Sequence, residues 1–162
     1  MSASAGRGAG ALADDADAPS TGTCLGFDFG TRRIGVAVGD AALATARPLA
    51  TVGVGATGPD WRAIDALVAE WTPAALVVGL PLTADGQEQP LTSHARGFAR
   101  RLAARTGLPA FAADERYSSI GAGQALAGAR ADGRRRRRVG KGEIDAAAAA
   151  LILERWLAGE RL

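Results

Sequence analysis

The sequence predicts an α/β domain: a mixed five-stranded sheet that begins with an antiparallel hairpin and is flanked by helices. Three observations carry this. Two apolar runs, Cys24 to Gly30 and Ile34 to Gly39, are joined by a short polar turn, Thr31-Arg32-Arg33, the pattern of a β-hairpin. Segments of helical period then alternate with short apolar runs, which favours a sheet with helices packed on it over an all-β or bundle fold. One of those runs, Ala75-Leu76-Val77-Val78-Gly79, is apolar throughout, as a strand covered on both faces should be.

The elements follow in order. Residues 1 to about 21 are rich in Ala, Gly and Ser and carry Asp14, Asp15 and Asp17; they are expected to form a disordered extension ahead of a domain over 22–162. After the hairpin, Ala46 to Val52 forms a short edge strand with Pro48 near its start. Gly58-Pro59-Asp60 opens a helix whose Trp61, Ile64, Leu67, Val68 and Trp71 recur at helical spacing, and Pro73 ends it. A loop over 80–91 contains the turn signal Asp85-Gly86. Thr92 or Ser93 caps the next helix, which runs to Thr106, and Leu108 to Ala113 is the last strand. A small-residue helix from Ser118 or Ser119 to about Arg130, an Arg-rich loop and a helix from Glu143 to Leu157 complete the chain.

Composition restricts the function classes. The chain has 162 residues, 48% hydrophobic and 22% charged, enough for one domain with its own core. The single cysteine, Cys24, lies within an apolar strand; no disulfide framework is available, so a reducing, cytoplasmic setting is expected. No stretch reaches the roughly 18 uninterrupted apolar residues of a membrane span, and the N-terminus lacks the pattern of a secretory signal. Formal net charge is +2 overall, and the acidic tail leaves the remainder at +4. Clustering says more than the total. Arg96, Arg100, Arg101 and Arg105 share one predicted helix, and Arg134, Arg135, Arg136, Arg137 and Arg138 are consecutive. Such clusters point to a polyanionic partner.

Asp28 is the most informative residue. It sits within the apolar run Leu25-Gly26-Phe27-Asp28-Phe29, where an ionised carboxylate costs several kcal/mol unless a cation or strong donors meet it. Two other acidic positions belong with it. Asp114-Glu115 follows the last strand, where side chains leave the carboxyl end of the sheet. Asp145 shares a helix side with Ala149, Ile152 and Trp156, the apolar side that faces the sheet. Carboxylates converging without a histidine or cysteine cluster favour a hard divalent cation, Mg²⁺ or Mn²⁺, and such a site suits phosphodiester hydrolysis.

The bland readings are different for each residue. An aspartate beside a Gly-Thr turn can simply accept from the turn's own amides. Asp145 can serve as a favourable charge near a helix N-terminus, worth about 0.3–1 kcal/mol. Asp85 reads as a turn residue, His94 as a solvated helix residue, Cys24 as core, and Trp61 and Trp71 as core and rim packing.

The motifs together resemble the YqgF family, pre-16S ribosomal RNA nucleases related to Holliday junction resolvases. The resemblance rests on Phe27-Asp28-Phe29-Gly30-Thr31 with Ile34-Gly35-Val36-Ala37, on Val78-Gly79-Leu80-Pro81-Leu82 with Asp85-Gly86 and Gln89-Pro90-Leu91-Thr92, on Asp114-Glu115-Arg116, and on Lys141-Gly142-Glu143-Ile144-Asp145. These occur in order over roughly residues 24 to 158. The resemblance implies a ribonuclease H-like fold and metal-dependent endonucleolytic hydrolysis in maturation of the 5′ end of small-subunit ribosomal RNA. It implies Asp28, Glu115 and Asp145 as the acidic, metal-binding set, with Glu115 preferred over Asp114 on this ground alone. Arg116 and Lys141 would assist at the scissile phosphate, and Arg134 to Arg138 would contact the backbone. The implied partner is a ribosomal RNA precursor, within the pre-30S particle or free of it, with a homodimer left open. Two further readings stand beside this one: a junction-resolving DNA nuclease, which would need two copies, and a non-catalytic RNA- or ribosome-binding module. Actin-like and sugar-kinase-like ATPases also use an Asp-x-Gly-Thr hairpin, but they need two such domains.

Overall fold

The computed structural model describes residues 10–115 and 141–159. Six strands form one sheet: β1 (Thr23–Phe29), β2 (Arg33–Asp40), β3 (Thr45–Gly55), β4 (Gly58–Pro59), β5 (Ala75–Leu80) and β6 (Ala110–Asp114). Their order is β4-β3-β2-β1-β5-β6. β1, β2 and β3 pair antiparallel, whereas β5 joins β1, and β6 joins β5, in parallel. Among the described residues three α-helices pack on the sheet: α1 (Trp61–Trp71), α2 (Pro90–Thr106) and α3 (Lys141–Leu157).

The sixth strand corrects the expected five. β4 is two residues long and pairs only with Val54 and Gly55, too short to carry any periodicity in sequence. β3 is longer than expected, and its register slips so that Ala50 faces Val36 while Pro48 faces Ala37. That leaves Leu49 as the extra residue of a bulge. Proline is tolerated there because the outer edge of β3 asks no amide of it.

Strand alternation divides the sheet into two faces. Leu25, Phe27, Ile34, Val36, Leu76 and Val78 turn to one side and pack with Ile64, Phe98 and Leu102 of α1 and α2. Cys24, Ala37, Ala75, Val77, Phe111 and Ala113 turn to the other, where they meet Ala149, Ile152, Leu153 and Trp156 of α3. Full burial of Ile152, Leu153 and Trp156 contributes roughly 1.5–3 kcal/mol apiece. The sheet is therefore covered on both sides, as the continuous apolar run in β5 predicts.

Several boundaries differ from expectation. α2 begins at Pro90, ahead of the predicted caps, with Gln89 in the N-cap position. Thr92 lies inside the helix, where its hydroxyl accepts from the Gln89 amide at 3.0 Å. Proline at the first helical position explains the early start, because its fixed φ and missing N–H cost nothing there. α3 begins at Lys141 and not Glu143, and the Thr51 hydroxyl donates to the Gly142 carbonyl at 2.8 Å, tying its first turn to β3.

Residues 10–21, part of the expected extension, touch the domain. The Ala13 amide donates to the Ala110 carbonyl at 2.8 Å on the outer edge of β6, and Leu12 packs against the α1–α2 side of the core. A single helical turn over Asp15–Asp17 follows, capped by Asp14. An apolar residue and one edge hydrogen bond suffice to anchor a polar segment that composition alone marks as loose. The predicted helix from Ser118, together with Arg116 and Arg134 to Arg138, lies outside the described residues.

The approach of α3 to the sheet depends on glycine. A Cβ added to Gly35 would lie 2.0 Å from the Asp145 carbonyl oxygen, 2.2 Å from its carbonyl carbon and 2.8 Å from the Ala146 nitrogen. All three are backbone atoms, so no rotamer change relieves the clash, and the first half of α3 must lift. Gly35→Ala is expected to cost about 3 kcal/mol in urea unfolding. A loss under about 0.5 kcal/mol, the range of an ordinary surface change, would show that α3 does not sit as described.

Candidate active site

Asp28 is the last-but-one residue of β1, paired with Gly35 on one side and Gly79 on the other. Directly paired residues project to the same face, so the aspartate emerges on the α3 side between two positions without side chains. Along β6, Phe111 and Ala113 turn to that same face. Glu115, two residues beyond Ala113, continues it, and Asp114 projects to the other. This alternation is the physical reason for the choice between the adjacent acids, and adjacency in sequence does not reveal it.

Glu115 leans back across Gly79 toward Asp28. A Cβ built on Gly79 would lie 2.6 Å from Glu115 Oε2 and 3.2 Å from Glu115 Cβ. The missing side chain at Gly79 is thus the gap through which the β6 carboxyl reaches the β1 carboxyl. The two share a hydrogen bond, and its effect on their protonation is large. Burial, the Asp28 charge and the shared hydrogen bond push Glu115 from its ordinary value up to about 10, with a further contribution from Asp114. Asp28 is also raised, first by burial and then by the charge of Asp145, against the lowering effect of the Glu115 hydrogen bond. At neutral pH the pair therefore keeps a proton between the two carboxyls. Two carboxylates in this space cannot both ionise without a cation.

Asp145 lies beside the pair, at the start of α3 over Gly35. Its charge reaches Asp28, yet its Oδ2 accepts from Arg33 Nε at 2.6 Å. The two side chains are 38% and 25% exposed. Among the described residues, no three His, Cys, Asp or Glu side chains gather as a ready metal cage. The fold brings Asp28 and Glu115 together and sets Asp145 beside them on an arginine.

Arg33 is the site residue that sequence reasoning missed; the turn it closes reads only as polar. A signal was available. Once the hairpin register pairs Phe29 with Ile34 and Asp28 with Gly35, alternation places Arg33 on the same face as Asp28. Gly35 and Gly79 were legible only as members of motifs, not as the floor beneath the acids.

The remaining candidates divide. The backbone of Lys141 opens α3, while Arg116 and Arg134 to Arg138 lie outside the described residues. The arginines of α2 are largely engaged: Arg96 pairs with Glu88 at 2.7 Å, and Arg105 forks onto Asp65 at 2.9 and 2.7 Å. Arg101 and Arg105 also lie 4.9 and 5.2 Å over the Trp61 ring, whose other neighbour is Phe98, stacked at 5.6 Å. Trp61 is packed as the bland reading holds. Asp85 shapes the 80–91 loop, accepting from the Thr83 hydroxyl, and His94 is exposed.

The donor set fits a hard divalent cation. Oxygen donors are pressed together, a proton stands where a cation would neutralise them, and a third carboxylate lies within electrostatic reach. The sheet order, the parallel crossover strands β1, β5 and β6, and acids at their carboxyl ends define a ribonuclease H-like α/β domain. One solved structure, T. thermophilus RuvC in complex with Holliday junction substrate, shares this fold at a TM-score of 0.50 and 19% identity, over 86% of this chain and 97% of that one.

The family model described as RuvX, Holliday junction resolvase, matches residues 22–159, and the chain belongs to that family. A protein of Xanthomonas oryzae pv. oryzae named "Putative pre-16S rRNA nuclease" is 56% identical over 137 residues, 85% of this chain and 88% of its own length. A Xanthomonas campestris pv. campestris protein of the same name is 54% identical over 149 residues, 92% of each chain.

Proposed function

We propose that this chain is a divalent-metal-dependent endonuclease that hydrolyses phosphodiester bonds in the 5′-end maturation of pre-16S ribosomal RNA. The observation that carries the reading is the Asp28–Glu115 pair, two carboxyls held together at the carboxyl end of the sheet with Glu115 pushed up to about 10. The name borne by relatives at 56% and 54% identity supports the RNA substrate.

Asp28 and Glu115 would hold Mg²⁺ or Mn²⁺, with Asp145 as the third ligand. The chemistry such an ion supplies when bound is Lewis-acid stabilisation of charge on the phosphodiester and activation of water at neutral pH. Gly35 lets α3 come close enough to set Asp145 beside the acids, and Gly79 lets Glu115 reach Asp28. To serve as a ligand, Glu115 would bind as the carboxylate, its charge offset by the ion. Arg116 and Lys141 act on the scissile phosphate, and Arg134 to Arg138 on the backbone. The placement in a reducing cytoplasm is supported by Cys24, a buried free thiol pushed up to about 11 by burial and by Asp40. Among the described residues no helix is long and apolar enough to cross a membrane.

The direct test is cleavage of a precursor RNA carrying the 5′ leader, with Mn²⁺ and with chelator, beside a four-way DNA junction. RNA cleavage that needs the metal supports the proposal. Preference for the junction would establish the second reading, which the family's description favours, and would call for a homodimer presenting two sites. No cleavage and no Mn²⁺ binding would leave a non-catalytic RNA- or ribosome-binding module. The arginine run supplies a separate expectation. Replacing Arg135, Arg136 and Arg137 with Ala should flatten the slope of log K against log salt by about 2 on single-stranded RNA. An unchanged slope removes the run from the binding surface.

A further inference from the structure

Resting on that metal reading, we infer that Arg33 is a place-holder cation for Asp145: it occupies the third carboxylate until a divalent ion at Asp28 and Glu115 draws that carboxylate away. The geometry is specific. Arg33 opens β2 on the Asp28 face, two residues before Gly35, and the Asp145 backbone lies directly over Gly35. The Arg33–Asp145 bond thus spans from sheet to α3 immediately beside the acidic pair. Asp145 therefore stands over the residue paired with Asp28, while one of its oxygens is engaged by Arg33 Nε at 2.6 Å.

Two properties suit an exchangeable partner better than a structural strut. The Arg33 side chain is 38% exposed, so its guanidinium can return to water at little cost, and ion pairs in such places bind weakly. The pair also solves an electrostatic problem. Carboxylates near one another repel when no cation is bound, and the arginine on Asp145 relieves part of that repulsion. A divalent ion at the acids would make the arginine dispensable. Arg33 is accordingly a positioning residue that sets how readily Asp145 joins the cation.

The test is a mutant cycle on the full chain read by calorimetric titration with Mn²⁺ alone. Removing the competitor in Arg33→Gln should tighten Mn²⁺ binding by about fivefold, the weight of a half-exposed pair. In an Asp145→Asn background the same change should have no effect. Equal tightening in both backgrounds would mean that Arg33 acts only through its charge at a distance, and no tightening in either would make the bond structural; each result overturns the inference. Wild-type protein that binds no Mn²⁺ removes the metal reading and this inference together, so the two failures are separable. Arg33→Lys keeps the charge and lacks the Nε donor. It should tighten binding to a smaller degree, and it carries the cycle if the glutamine variant fails to fold.

Discussion

Asp28→Asn is expected to lower metal-dependent RNA cleavage by about a thousandfold or more while leaving the protein folded. Asp28 is paired with Gly35 and Gly79; its carboxylate stands between Glu115 and Asp145, and its loss leaves Glu115 with only an Asp145 that Arg33 engages. A bound divalent ion contributes several kcal/mol of charge stabilisation in phosphoryl chemistry, and each 1.4 kcal/mol is about a factor of ten in rate. Asparagine keeps the shape and removes a charge that is half-buried beside two other carboxyls, so the melting temperature of the metal-free variant should be unchanged or higher. Cleavage near wild-type rates in a preparation free of contaminating nuclease would remove Asp28 from the catalytic site.

Glu115→Gln is expected to stabilise the metal-free protein at alkaline pH and to remove most of its pH dependence. Burial and the Asp28 charge push Glu115 up to about 10 in the folded chain, from an ordinary 4.5. Between those values the folded chain holds a proton that the unfolded chain has released, so raising the pH favours unfolding. The stability is complete below about pH 4.5 and is lost progressively as pH climbs toward 10. Glutamine cannot ionise, so at about pH 8 the variant should exceed wild type by a few kcal/mol. Mn²⁺ should restore wild-type stability at that pH, by binding the folded state, and should do little for the variant. Melting curves that run parallel from about pH 5 to 9 would show that Glu115 is not held against Asp28.

Much of the architecture is legible in residue order, for local reasons. The hairpin follows from two apolar runs with a polar turn, the double-sided burial of β5 from the unbroken run Ala75 to Gly79, and the sheet-facing side of α3 from the spacing of Asp145, Ala149, Ile152 and Trp156. Periodicity is a local property, so local sequence reports it. The failures are places where distant chain decides. β4 exists only because β3 is there to receive two residues. Leu12 and Ala13 are held only because the core and the edge of β6 are available to them. The start of α2 is different: Pro90 was in view, and its preference for the first helical position outweighs the nearby hydroxyl caps.

For the site, residue order by itself determined which acids are costly and belong at the carboxyl end of a sheet: Asp28 in an apolar strand, Asp114-Glu115 after the last strand, and Asp145 on an apolar helix side. Tertiary structure alone decided their relations. Strand alternation across β1, β5 and β6 selects Glu115 over Asp114 and lays it over Gly79, and the β2 register turns Arg33 toward Asp145. What meets the aspartate in the strand proves to be a proton shared with Glu115, while the arginine lies on Asp145. The physical reason is range. The cost of burying a carboxylate is a property of its own segment, whereas what meets that carboxylate comes from residues about 50 to 115 positions away, which only the register of the sheet brings within reach.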